Sequence, residues 1–123
     1  MPTPRARRGA EAEAFVAGRL ERAGYEIIDR NWHARTGELD VIALHGEVLV
    51  FVEVRSRRGV AVGAADESVG VGKLQRLMTT ALAWLATHPE HAERFWRVDL
   101  IAVSLDARGI VRAYNHYENL TLD

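Results

Sequence analysis

The chain has 123 residues, 48% of them hydrophobic, which is material for one globular domain with a real core. Its 16 Lys and Arg against 17 Asp and Glu leave a formal net charge of −1, so any nucleic-acid binding must rest on a local basic patch. Cysteine is absent, which excludes disulfide scaffolds, Fe–S clusters and thiolate zinc sites and fits a reducing cytoplasm. No apolar run reaches the ~18–20 residues of a membrane span, and no hydrophobic region follows the arginine-rich start, so neither a span nor a signal peptide is expected.

Residues 1–8 carry two prolines and three arginines and read as a mobile basic terminus ahead of a single domain over 9–123. From Gly9 to Ala23 the spacing predicts a helix, with Ala12, Phe15, Val16, Leu20 and Ala23 on one stripe and Gly24 as its stop. Glu13 falls at the edge of that stripe; by periodicity alone it is a solvated carboxylate at the boundary of core and solvent. A strand is expected over Tyr25–Arg30, then a hairpin over 38–56. Residues 57–72, with four glycines, read as a flexible loop. The Gly72-Lys73 pair is not a phosphate loop, because Glu67 and Leu74 occupy positions that need Gly and Ser or Thr. A second amphipathic helix is predicted from Lys73 to Thr87, ended by Pro89, followed by strands over Arg94–Val103 and Ile110–Tyr114. The order α-β-β-β-α-β-β predicts an α/β fold: a single mixed sheet flanked by helices.

The hairpin carries the chemistry. "GELDVIA" and "VFVEVRSR" are apolar on both faces, as strands covered on both sides are. Yet Asp40 sits between Leu39 and Val41, and Glu53 between Val52 and Val54. A carboxylate there costs several kcal/mol unless a counter-charge or metal compensates it. With His45-Gly46 as a two-residue turn, Asp40 faces Phe51, and Asp40 and Glu53 become diagonal neighbours on one face, about 7–8 Å apart at the backbone. From there both side chains can converge on one divalent cation. Arg55 projects on the same side, and Glu38 does too.

A helix-edge Glu, a strand Asp and a strand Glu-x-basic, in that order, are the acidic half of a metal-dependent nuclease site. Phosphodiester hydrolysis needs a cation to neutralise the phosphate, lower the pKa of the attacking water and assist the leaving oxygen. Mg²⁺ or Mn²⁺ suits two or three carboxylates completed by water and phosphate. The chain resembles the YraN-like family of small bacterial proteins, itself similar to Holliday junction resolvases of the PD-(D/E)xK, restriction-endonuclease-like nuclease superfamily. The matching pieces are Gly9 with Glu13, "AGYEII" leading to "RNW", "GELDVIA", "VFVEVRSR", Lys73 at the second helix and "WRVDLIAV". The resemblance implies a restriction-endonuclease-like core with Glu13, Asp40 and Glu53 as the acidic, metal-binding positions. It also implies DNA as the nucleic-acid partner, and it sets Arg55 at the position of the superfamily lysine.

Arginine there stays charged, with a pKa above about 12, so it clamps phosphate but is a poor base. Lys73 or Gln75 is a candidate for the missing function, if the fold brings either to the acids; otherwise Lys73 is a solvated first-turn lysine. Arg55, Arg57, Arg58 and Lys73 are the candidate phosphate contacts. Three readings stay open: a nuclease, a catalytically silent nucleic-acid-binding module, and an interaction adaptor whose acids pair with arginines. A symmetric homodimer suits paired cuts across a junction. Asp99, inside an apolar strand, is expected to pair with Arg97. The five histidines show no zinc-ligand spacing, and Trp32, Trp84 and Trp96 read as core or rim.

Overall fold

Runs of consecutive rather than alternating apolar residues suit strands covered on both faces, and three such runs form the centre of the sheet. In the computed structural model, which describes residues 4–59 and 69–121, the chain folds as α1 (Pro4–Arg22), β1 (Glu26–Ala34), β2 (Gly37–His45), β3 (Val48–Arg58), α2 (Val71–Ala86), a short 3₁₀ turn (Pro89–His91), β4 (Trp96–Leu105) and β5 (Val111–Tyr117). One sheet holds the strands in the order β1-β2-β3-β4-β5, antiparallel except for the parallel β3–β4 pair. Parallel neighbours cannot be joined by a hairpin. The crossover from β3 to β4 runs through α2, and the α-β-β-β-α-β-β order is the expected one.

Each helix lays its apolar stripe on a different face of the sheet. Val16 and Leu20 of α1 pack with Val41, Ala43, Val50, Val52, Ile101 and Val103. Leu77, Ala81 and Trp84 of α2 pack with Ile42, Leu49, Phe51 and Val98 on the other side. Trp84 is fully buried, and Phe51 meets Trp84 and Trp96 edge-on at centroid distances of 5.7 and 5.6 Å. Side chains of this size contribute roughly 1.5–3 kcal/mol each on burial, so the two clusters fix both helices firmly.

The element boundaries differ from expectation in ways that matter. The α1 helix opens at Pro4, five residues before Gly9, so the basic terminus is helical backbone from Pro4 on, and residues 1–3 lie outside the described residues. The loop expected over 57–72 is shorter, because β3 runs to Arg58 and α2 opens at Val71; residues 60–68 lie outside the described residues. The β2–β3 turn is Gly46-Glu47, not His45-Gly46, since His45 pairs with Val48. Gly46 has a φ of 62° while Glu47 is not left-handed, which is the type II′ arrangement with glycine first. This moves the register by two residues.

Asp99, fully buried in β4, is paired as expected and more completely. Arg97 Nε donates to it at 3.0 Å, the Asn119 backbone N–H at 2.9 Å, and His116 Nε2 lies 2.8 Å away. Arg97 also donates to the Tyr25 hydroxyl at 3.1 Å, tying β4 to the entry of β1. Burial raises the pKa of Asp99, but the bonds from His116, Arg97 and Asn119 outweigh it and hold the carboxyl below its ordinary value. Replacing it by alanine leaves the largely enclosed Arg97 with only the Tyr25 hydroxyl and the more distant Glu118, 3.7 Å away. Asp99→Ala is expected to lose about 3–5 kcal/mol in urea unfolding, and Asp99→Asn less because one acceptor remains. A loss under about 1 kcal/mol in the alanine variant would mean that the network is dispensable.

Candidate active site

The β2–β3 ladder pairs from His45↔Val48 to Val41↔Val52 and ends there. Continued by one step, its register sets Asp40 directly opposite Glu53, closer than the diagonal arrangement expected from the other turn. The two acids therefore stand where the strands part. Beyond the last pair a strand N–H needs a new acceptor. Asp40 Oδ2 supplies it, taking the Val54 N–H at 2.8 Å.

The side-chain alternation skips at the same place. Leu39 and Ile42, three residues apart, both pack in the α2-side cluster, while Val41 and Ala43 belong to the α1 side. In the register of Arg30↔Val41 and Trp32↔Leu39, the β1 residue beside Asp40 is Asn31, whose φ of 52° is left-handed. Asparagine tolerates that conformation better than most residues. The skip turns Asp40 out of regular alternation and into the gap between β2 and β3.

Both helices reach this gap. Glu13 of α1 and Glu53 of β3 both stand close enough to Asp40 to act on its carboxyl, and Asn31 acts likewise on Glu13. From α2, Lys73 Nζ lies 3.1 Å from Glu53 Oε2. Arg55, half-buried, follows Glu53 on the same side of β3 and lies opposite Ala102 of β4. Of the other expected residues, Arg57 is exposed on that side. Arg58 turns instead to the 106–109 turn, donating to the Ala107 carbonyl at 3.2 Å. Gln75 is exposed and lines a depression with Thr36 and Thr79. Glu38 is exposed, 3.4 Å from His33. Asn31 was not singled out by the sequence reading, although an asparagine within an otherwise strand-like run was the available signal.

Comparison with known proteins adds a family. The description of the Uncharacterised protein family UPF0102 matches residues 12–103. The chain belongs to this family. It is 46% identical over 109 residues to a UPF0102 protein of Chloroflexus aurantiacus, covering 89% of this chain and 87% of that one. A UPF0102 protein of Roseiflexus castenholzii is 44% identical over 108 residues, covering 88% and 87%. One from an Arthrobacter species is 45% identical over 101 residues, covering 82% and 85%. The UPF0102 match takes in Glu13, Asn31, Asp40, Glu53, Arg55 and Lys73.

The electrostatics of this UPF0102 protein centre on Asp40, which is 7% exposed, with Glu53 at 8%. Burial first, then the hydrogen bond and charge of Glu53, push Asp40 up to about 9, against the pull of the Val54 N–H. Burial raises Glu13 as well, opposed by its bonds to Asp40 and Asn31. Among the described residues no three His, Asp or Glu side chains close on one point that could hold a metal ion; the acids meet in pairs through Asp40. Their chemistry nonetheless fits a hard divalent cation. All the donors are carboxylate oxygens, and the crowded charge needs a proton or a cation to neutralise it. No described helix is long and apolar enough to cross a membrane.

A carboxyl held above its unfolded pKa gives stability that is complete below about 4 and is lost as pH rises through its folded value. In chelator, the parent should therefore lose stability relative to Asp40→Asn from about pH 5 towards pH 9. Asn keeps an acceptor for the Val54 N–H and carries no charge. Thermal melts of the two proteins across that range check it, with a Tm gap that widens with pH; a constant gap would remove Asp40 as the titrating group.

Proposed function

We propose that this chain is a nuclease-like nucleic-acid-binding protein in which Asp40, Glu53 and Glu13 hold Mg²⁺ or Mn²⁺ for cleavage of a phosphodiester bond. The observation that carries the reading is the fork itself. Glu13 of α1 and Glu53 of β3 each approach Asp40 of β2 there, and Lys73 of α2 stands 3.1 Å from Glu53. A bound Mg²⁺ or Mn²⁺ supplies charge neutralisation on the phosphate, a lowered pKa for the attacking water and help to the leaving oxygen.

The chain's own residues do the positioning. Asp40 is fixed by the Val54 N–H, and Asn31 orients Glu13. Arg55 and exposed Arg57 hold phosphate oxygens. Lysine, unlike arginine, can orient a water and exchange a proton, so Lys73 takes the role that Arg55 cannot. Branched or damaged DNA is the proposed substrate class, an analogy with the Holliday junction resolvases at the level of the fold. A symmetric homodimer would then deliver paired cuts. The second reading is a binding module of the same fold with a silent site, favoured by Arg55 at the superfamily lysine position. An adaptor whose acids are neutralised by arginines is disfavoured, because Asp40 takes a backbone N–H and stands beside other carboxylates.

Cleavage of four-way, duplex and single-stranded DNA and of RNA is expected to require Mg²⁺ or Mn²⁺. It should vanish in Asp40→Asn and Glu53→Gln with binding largely kept, and fall at least about 100-fold in Lys73→Ala. Mn²⁺ at about 100 times its Kd should add about 2.7 kcal/mol to the stability of the parent and nothing to Asp40→Asn. If Mn²⁺ stabilises the parent but only Arg55→Lys cleaves, the native protein is the silent module. No cleavage and no Mn²⁺ stabilisation would end both metal readings.

A further inference from the structure

The depression that Gln75 lines continues towards the acids. Thr36, Gly72, Gln75, Arg76 and Thr79 enclose an open depression of about 410 Å³ between the β1–β2 turn and the first turns of α2. A smaller one beside it shares Thr36 and Arg76 and is lined as well by Lys73, Glu38 and Thr80. Lys73 is the same residue whose ammonium meets Glu53, so the smaller depression adjoins the acid fork at Lys73. The Thr36 and Thr80 hydroxyls, 2.9 Å apart, fasten the turn to the helix. Gly37 is needed at that point, with a φ of 150° and Thr80 Oγ1 only 3.3 Å from where a Cβ would stand.

The lining of the larger depression is hydroxyl, amide and guanidinium, with no apolar anchor. Such side chains suit the sugar–phosphate backbone, which takes most of its contacts from Arg, Ser, Thr and Gln. Among the described residues no carboxylate pairs with Arg76. Glu38 is the one acid among the described lining residues, and it lies on the side of the fork next to His33. From Lys73 to Thr79 the helix rises about 9 Å at ~1.5 Å per residue, a length that about one or two nucleotides of strand backbone would span.

We propose that this groove holds the backbone of the nucleic-acid strand engaged at the acids, about one or two nucleotides from the reacting phosphate, with Arg76 as its main phosphate contact. The inference rests on the nucleic-acid reading above and adds the direction in which the strand leaves the site: along α2, under the β1–β2 turn.

The test is the salt dependence of binding. Labelled four-way and single-stranded DNA are titrated with the full chain at several salt concentrations, with Ca²⁺ replacing Mg²⁺. Each lost phosphate contact should lower the slope of log K against log salt by about 0.7–0.9. Arg76→Ala is expected to lower it by that amount, and Thr79→Arg, on an exposed helix position, to raise it by a similar amount. Arg22→Ala, on the exposed last turn of α1, should leave it unchanged, and Arg76→Ala should keep the parent's Mn²⁺ thermal shift. If the parent binds DNA but both groove variants keep its slope, or Arg22→Ala matches Arg76→Ala, the groove inference falls and the nucleic-acid reading stands. If the parent binds neither DNA, both fall together.

Discussion

One hydrogen bond sets the position of everything else at the fork: the Val54 N–H donating to Asp40 Oδ2 at 2.8 Å. A strand leaving its neighbour exposes a backbone donor, and an unsatisfied buried donor costs about 1–3 kcal/mol. A side-chain carboxylate that takes this donor lets β2 and β3 separate without that loss. It is also fixed in place by a rigid strand. The gap opened in this way is what admits Glu13 from one layer and Lys73 from the other. Without the bond, the ladder would either continue past Asp40 or leave Val54 unpaired, and in neither case would the acids share a space.

Asp40 and Asp99 make a controlled comparison within one sheet. Both are aspartates in strands buried on both faces. Asp99 receives donors from Arg97, His116 and the Asn119 backbone and is held below its ordinary pKa. Asp40 receives one backbone donor and two further carboxylates and is pushed up to about 9. Burial acts alike on the two, so the difference comes from their partners. A purely structural acid would be expected to resemble Asp99. Acids crowded around Asp40 favour its protonated form, and such local conflict is typical of sites kept for chemistry.

The sequence made the strands legible because doubly covered strands are continuous apolar runs, and it made the two acids legible because they interrupt those runs. Pairing Asp40 with Glu53 survived an error in the turn. Glycine was taken as the second turn residue where it is the first, and the resulting shift of two residues preserves which residues can meet. The skip in alternation at Asp40 was not legible, since it depends on Asn31 of β1 adopting a left-handed conformation beside it, a relation between strands. The meeting of Lys73 with Glu53 was equally beyond local pattern, because it is set by how α2 packs through Leu77, Ala81 and Trp84. Arg58 could not be separated from Arg57 by spacing; its capture by the Ala107 carbonyl depends on the β4–β5 turn.

The division between Arg55 and Lys73 follows from where each is anchored. Arg55 grows from a central strand bonded to β4, two residues from Glu53, so its guanidinium can shift only by its own rotamers. That suits a fixed clamp on phosphate oxygens. Lys73 stands in the first turn of α2, half-exposed, and reaches Glu53 with a flexible stem. Lys73 lies one turn ahead of Leu77, and Leu77 and Trp84 hold the helix on the sheet. In the proposed reaction the charge that must stay still is carried by the strand. The proton that must move is carried by the helix end. A lysine on the strand would combine both roles in one side chain; the proposed reaction shares them between two elements, β3 and α2, that approach each other at Glu53 and Lys73.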